Sequence, residues 1–240
     1  MTDRFTERRL RFRRQRWFRI LLAVVAIVLV VAAVWLVWFS SVLTVRSVEV
    51  SGETTMEADQ IVEAAKVPMD QPLVRVDLTA IESRIKKLPR IRTVEVSRSW
   101  PHTVSIEVEE RTAVVWSRIQ GQIHGIDRYG VDYRTYGKAP KGLVEATITG
   151  TDAETRLSAT QAVAEVAFFL RTEQPDWYGD LKSISARTQD SVTLNLSKGR
   201  SIVWGSTAYG DRKLEVLQTL LTIKAKGYDV SAPDQPTTRN

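Results

Sequence analysis

Ser83-Arg84-Ile85-Lys86 has the S-x-x-K spacing used to activate a serine nucleophile for acyl transfer. That chemistry needs companion S-D-N and K-T-G segments, and the chain contains neither. Ser83 also falls beside the apolar stripe of its helix, at a solvated position. Glu107, Glu109 and Glu110 suggest paired carboxylates for acid–base work. On a strand, however, Glu107 and Glu109 face the same way, opposite Ile106 and Val108, as on a solvated face. His102 and His124 are the two histidines, both in turn-like sequence, with no H-E-x-x-H or other paired-ligand spacing. The absence of cysteine excludes disulfides, thiolate metal sites and a thiol nucleophile together. No G-x-S-x-G, P-loop or G-x-G-x-x-G occurs. The residues therefore predict a chain that is not an enzyme, with no metal, no cofactor and no small-molecule substrate.

The charge distribution narrows the class further. The formal charge is +6 at a pI of about 9.6. Eight of the 34 Lys and Arg and two of the 28 Asp and Glu lie in residues 1–19, which leaves 26 of each sign in the remainder. A nucleic-acid-binding domain carries its positive excess in the folded part, so nucleic acid is excluded as a partner. Ile20–Phe39 holds twenty uncharged residues rich in Val, Leu and Ala. As a helix it would reach roughly 30 Å, the thickness of a bilayer core. Arg13, Arg14, Arg16, Trp17 and Arg19 at one end and Trp35 and Trp38 at the other predict the two membrane interfaces. Only Arg46 is basic in the twenty residues that follow, so positive-inside bias predicts a cytoplasmic N-terminus and an extracytoplasmic C-terminus. A cleaved signal with Val31-Ala32-Ala33 as its site competes with this reading. Signal cores are typically about 7–15 residues, shorter than this run.

Beyond the membrane segment, the apolar pattern predicts two domains. Leu43–Val50 alternates as a half-buried strand stopped at Ser51-Gly52. Thr55–Lys66 has roughly helical spacing, Leu73–Val76 reads as a short extended piece, and Leu78, Ile81, Ile85 and Leu88 mark one helix face ended by Pro89. Ile91–Arg98 and Thr103–Glu110 alternate as strands joined by a hairpin turn at Ser99–His102. This order predicts two helices on one face of a three-stranded sheet. In the second domain, Ala113–Ile119 starts a strand, Gly121–Gly130 is dense in turn residues, and Leu143–Gly150 is extended. A helix follows whose buried stripe is Leu157, Val163, Ala164, Ala167, Phe168 and Leu170. Leu181–Arg187, Ser191–Leu196 and Arg200–Trp204 read as strands. Asp211 is placed to cap a helix bearing Leu214, Leu217 and Leu221, with Gly227 as its stop. Tyr228–Ala232 is then the last strand, closed off by Pro233 and Pro236.

Certain words stand out in this order: Val48-Glu49-Val50-Ser51-Gly52, Pro72–Asp77, Leu88-Pro89-Arg90-Ile91, Arg98-Ser99-Trp100-Pro101 and Val108-Glu109-Glu110-Arg111. Together, directly after one apolar helix, they resemble the POTRA domain of the FtsQ/DivIB family of bacterial cell-division proteins. Trp116 with Asp127-Arg128-Tyr129-Gly130, Gly199–Gly205, Lys213-Leu214 and Asp229-Val230-Ser231 are similar to the β domain of the same family. The resemblance implies an α+β protein in five parts: a cytoplasmic Arg-rich tail (1–19), a transmembrane helix (20–39), a POTRA domain (43–112), a mixed, mainly antiparallel β domain with helices (113–232), and a tail (233–240). It implies a scaffold of the divisome at the septum of the cell membrane. Its partners would be single-pass FtsB/DivIC-like and FtsL-like proteins, with FtsW- or FtsI-like septal proteins beyond them. Tyr228, Asp229, Val230, Ser231 and Ala232 would form a sheet edge that accepts a partner strand. Arg187 matches a basic position near that edge. Many members continue with D-L-R-Y, whereas Asp229–Ala232 here lacks the arginine and the aromatic. The competing reading is a POTRA-bearing envelope chaperone or transport component, disfavoured because no run of amphipathic barrel strands follows.

Overall fold

The computed structural model describes residues 4–39 and 43–240. Contacts divide the chain into two compact units that meet in sequence at Glu110/Arg111.

In the first unit, one continuous helix, α1, runs from Arg4 to Phe39. Its described side chains run unbroken from Trp17 to Ala32, all of them exposed. Among the described residues no helix is long and apolar enough to cross a membrane. The side chains of Arg13, Arg14 and Arg16 lie outside the described residues. Strand β1 (Ser47–Ser51), helix α2 (Ala58–Ala65), helix α3 (Leu78–Ile85), strand β2 (Ile91–Ser99) and strand β3 (Thr103–Glu110) follow. The sheet order is β1-β3-β2, with β1 parallel and β2 antiparallel to the central strand. Ile61, Ala65, Leu73, Ile81, Ile85, Val104 and Ile106 are fully buried between the helices and the sheet. Gly52 carries φ +85, and a Cβ there would stand 2.0 Å from the Val108 carbonyl oxygen, so a side chain is excluded where the chain leaves β1.

Two expectations fail here for physical reasons. Leu73–Arg75 forms a 3-10 turn after Pro72, not an extended piece. Its buried residue Leu73 and the buried Val76 that follows the turn are three apart, the repeat of a 3-10 helix. Helix α2 starts at Ala58, not Thr55, and the amides of Thr54, Thr55 and Met56 before it are bound by the carboxylate of Glu110.

The second unit holds strands β4 (Ala113–Ile119), β5 (Gln122–Asp127), β6 (Asp132–Tyr136) and β7 (Val144–Ile148), then helix α4 (Ala153–Glu173). Strands β8 (Leu181–Ala186), β9 (Val192–Leu196) and β10 (Ser201–Gly205), helix α5 (Gly210–Leu220), and strands β11 (Gly227–Asp229) and β12 (Thr237–Arg239) complete it. One nine-stranded sheet results, ordered β12-β11-β10-β9-β8-β7-β4-β5-β6. Of its three parallel pairs, β7–β8 and β10–β11 are connected through α4 and α5, and β4–β7 through the β5–β6 hairpin, as parallel neighbours require a crossover. Val163, Ala164 and Leu170 of α4 pack into a core with Val115, Ile184, Val192, Leu194, Ile202 and Trp204.

The segment Gly121–Gly130 is mostly strand. Gln120 (φ 49) and Gly121 (φ 83) make a two-residue hairpin between the paired Ile119 and Gln122. The turn residues of the segment occupy its two ends, this hairpin and the Asp127–Gly130 turn, where Gly130 has φ 79. His124 accordingly lies on β5, with its Nδ1 2.7 Å from Asp132 Oδ2, not in a turn. Leu157 is 56% exposed and does not join the α4 stripe, which uses Ala159, Ala162 and Val166 instead. The β4–β7 ladder ends at Ser117–Ala146. Beyond it lies a cleft of about 630 Å³ lined by Arg118, Ile119, Thr147, Ile148 and Leu157. Asp211 sits in the first turn of α5, behind Tyr209 at the cap, and Gly227 opens β11 after α5 has already ended.

Candidate functional site

The residues singled out for chemistry are held in structural roles. Ser83 is exposed on α3, and the Lys86 ammonium pairs with Glu82 at 3.8 Å. Glu109 pairs with Arg92 on the exposed face of the β2–β3 hairpin. Glu110 is different. Its Oε1 accepts from the N–H groups of Thr54, Thr55 and Met56 at 2.8, 2.9 and 2.9 Å, and Oε2 accepts from the Thr55 hydroxyl. Burial alone would raise its pKa, but these hydrogen bonds outweigh it and hold the carboxyl at about 2. Asp127, 1% exposed, organises the Asp127–Gly130 turn. It accepts from Tyr129 N–H and Val131 N–H, both at 2.9 Å, and meets Arg111 at 2.5 Å. Among the described residues no group of three or more His, Asp and Glu is placed to hold a metal ion.

The C-terminal end of the large sheet gathers the remaining candidates. Tyr228, on β11, is 2% exposed. Its hydroxyl lies 2.9 Å from the Ile223 carbonyl and accepts from Ala225 N–H at 3.3 Å. Val230 is fully buried, and its N–H donates to Val203 O at 3.0 Å. These two side chains fasten β11 to the core and do not face outward. Asp229 Oδ1 accepts from the Ser231 N–H at 2.9 Å and from its hydroxyl at 2.6 Å, which turns the chain out of the strand. Ser231 and Ala232 are exposed just beyond.

Arg187 is set apart from this group. It follows β8, and β9 and β10 stand between β8 and β11. At about 4.8 Å per strand that is roughly 14 Å across the sheet. Arg187 is exposed and lies at the same sheet end as Ser231, since Gly205 opposes Val192 and abuts Ser231. Behind β10, Lys213 of α5 is fully buried. Its ammonium donates to Ser206 O at 2.8 Å and lies 5.8 Å from the Trp204 ring centre. Burial pushes its pKa down, and Asp190 opposes that shift.

The largest correction concerns the edge. Pro233 and Pro236 do not end the sheet. The chain turns, with Gln235 N–H donating to Ala232 O at 2.9 Å, and returns as β12 against β11 in the register Gly227–Arg239, Tyr228–Thr238, Asp229–Thr237. A polar Thr-Thr-Arg run offers no apolar alternation, so no pattern in the sequence marks it as a strand.

Residues 43–111 match the family model described as POTRA domain, FtsQ-type. Over 202 residues the chain is 35% identical to the cell division protein FtsQ of Streptomyces bingchenggensis, covering 82% of this chain and 76% of that protein. The chain belongs to the FtsQ family. The cell division protein FtsQ of Streptomyces coelicolor is 36% identical over 237 residues, 94% of this chain and 89% of that one. The FtsQ of Mycolicibacterium smegmatis is 35% identical over 203 residues, 84% of this chain and 59% of that one. Matches of this extent run past residues 43–111 into the second unit of this FtsQ-family chain.

On α1, Trp17 and Trp35 are 67% and 64% exposed and Arg19 is exposed. Trp38 is 46% exposed, with the Arg75 guanidinium 5.6 Å from its ring centre.

Proposed function

We propose that this chain is a non-enzymatic, single-pass membrane scaffold of the bacterial division machinery. It binds other single-pass division proteins, FtsB/DivIC-like and FtsL-like, by strand addition at the β11 end of the large sheet. Membership of the FtsQ family is the observation that carries this reading. The twenty uncharged residues Ile20–Phe39 on one helical backbone support a membrane anchor, and the arginines before them support a cytoplasmic N-terminus. Sheet ends support strand addition because their main-chain N–H and C=O groups pair with any extended segment, whatever its side chains. Side-chain recognition would fall to the half-buried Asp229 and the exposed Ser231, Ala232 and Arg187, because Tyr228 and Val230 are committed to the core.

Photo-crosslinking tests the surface. A benzoylphenylalanine at Ala232 should capture an FtsB/DivIC-like or FtsL-like protein in dividing cells, whereas one at Lys138, by the opposite edge strand β6, should not. Equal capture at both positions, or none at Ala232, overturns the assignment. Depletion should give filaments with unconstricted septa. Envelope defects in normally dividing cells would instead fit an envelope chaperone.

A further inference from the structure

Strand β11 has a neighbour on each side: β10, parallel, and β12, antiparallel. The two are held very differently. Toward β10, Ile202, Trp204, Tyr228 and Val230 are all at most 2% exposed. Toward β12 the occupant is three residues long, and Thr237, Thr238 and Arg239 are all exposed. They bring no apolar group to the core, so main-chain pairing is what seats them, extended by Lys226 N–H donating to Arg239 O at 3.0 Å. The seat is loosely filled as well. A cleft of about 130 Å³ remains along it, lined by Ser201, Val203, Gly227, Asp229, Thr237 and Arg239. Removing β12 would leave β11 standing as a formed edge, because Tyr228 and Val230 anchor it from the other side.

We infer that Thr237–Arg239 is an internal placeholder, which pairs with β11 until a partner's extended segment displaces it. This rests on the strand-addition reading above and adds its regulation. The exchange conserves the main-chain hydrogen bonds of β11, replacing one antiparallel or parallel neighbour by another. A partner therefore prevails through a longer ladder and through side chains that fill the cleft. The placeholder acts in cis across the seven residues 230–236, at a high effective concentration. It lowers the apparent affinity by the fraction of molecules whose edge is open. The polar composition suits this function: a strand with its own apolar anchor would not leave, and a bare edge would pair with any exposed strand.

Two variants of the full-length chain test this. One ends after Ala232. The other, Gly227→Cys with Arg239→Cys, exploits a chain without cysteine. A Cβ on Gly227 would lie 3.4 Å from Arg239 Cβ, close to the separation a disulfide spans. Binding of the host's FtsB/DivIC-like protein is measured in detergent for each. The shortened chain should bind about tenfold more tightly than the full chain, as for an edge that is open in about a tenth of molecules. The oxidised double variant should bind at least tenfold more weakly than its own reduced form. If the full chain binds but neither shortening nor oxidation changes its affinity, the placeholder is wrong and strand addition is untouched. Loss of binding on shortening means that β12 is itself the docking strand, which also overturns it. If no form binds, the strand-addition reading falls and the placeholder falls with it.

Discussion

Glu110 shows what a single side chain contributes. It sits at the end of a strand in a row of three glutamates, where two are solvated and the third ties β3 to the segment before α2. Its folded pKa of about 2 lies below the ordinary 4.5. A depressed carboxylate stabilises the fold fully above its unfolded pKa and loses that contribution as pH falls toward its folded one. The window is therefore between about pH 4.5 and pH 2, and the shift corresponds to on the order of 2–3 kcal/mol. Glu110→Gln should lower the stability of the first unit at pH 7 by about that amount. It should also flatten the acid limb of the melting profile, as thermal unfolding across pH 2–7 would show. An unchanged acid limb would remove Glu110 from this role. The sequence contained the residue and the Val108-Glu109-Glu110-Arg111 pattern, but alternation along β3 says only which way a carboxylate points. It does not say which distant amides wait there.

At the scale of elements, periodicity found both POTRA-type helices, the β2–β3 hairpin and most strands of the large sheet. It drew one stripe too wide and misjudged elements whose fate depends on a neighbour far along the chain. Leu157 lies roughly 140° from Leu170 around the wheel of α4. One is 56% exposed and the other fully buried, because the buried residues Ala159, Ala162, Val163, Val166 and Ala167 centre on the Leu170 side. Leu170→Ala should cost roughly 2–5 kcal/mol in chemical denaturation. Leu157→Ala should stay within about 0.5 kcal/mol. Comparable losses would mean that the cleft around Leu157 closes in solution. Strand β6 was likewise invisible, since Asp132–Tyr136 is a sheet edge with a single buried residue, Tyr133. Burial and the hydrogen bond with Tyr136 push the Tyr133 phenol up to about 12.

For the molecule as a whole, the charge sits at one end of the chain and the proposed pairing surface at the other. On the proposed membrane reading, exchanging Arg13, Arg14, Arg16 and Arg19 for Glu should reduce the fraction of molecules with an extracytoplasmic C-terminus. Protease protection of spheroplasts measures this directly, and unchanged orientation would remove the arginines as its determinant. The sequence by itself determined the neutral charge of residues 20–240, the lack of thiol chemistry, the two-unit order of elements and the family. Those properties are local or additive, so composition and short-range period carry them. Only the tertiary structure decided that Tyr228 and Val230 are core residues, that Arg187 stands three strands away, and that β11 is paired on both sides. Sheet edges are set by which segments meet across the fold, and a polar three-residue strand leaves no periodic trace of where it will pair.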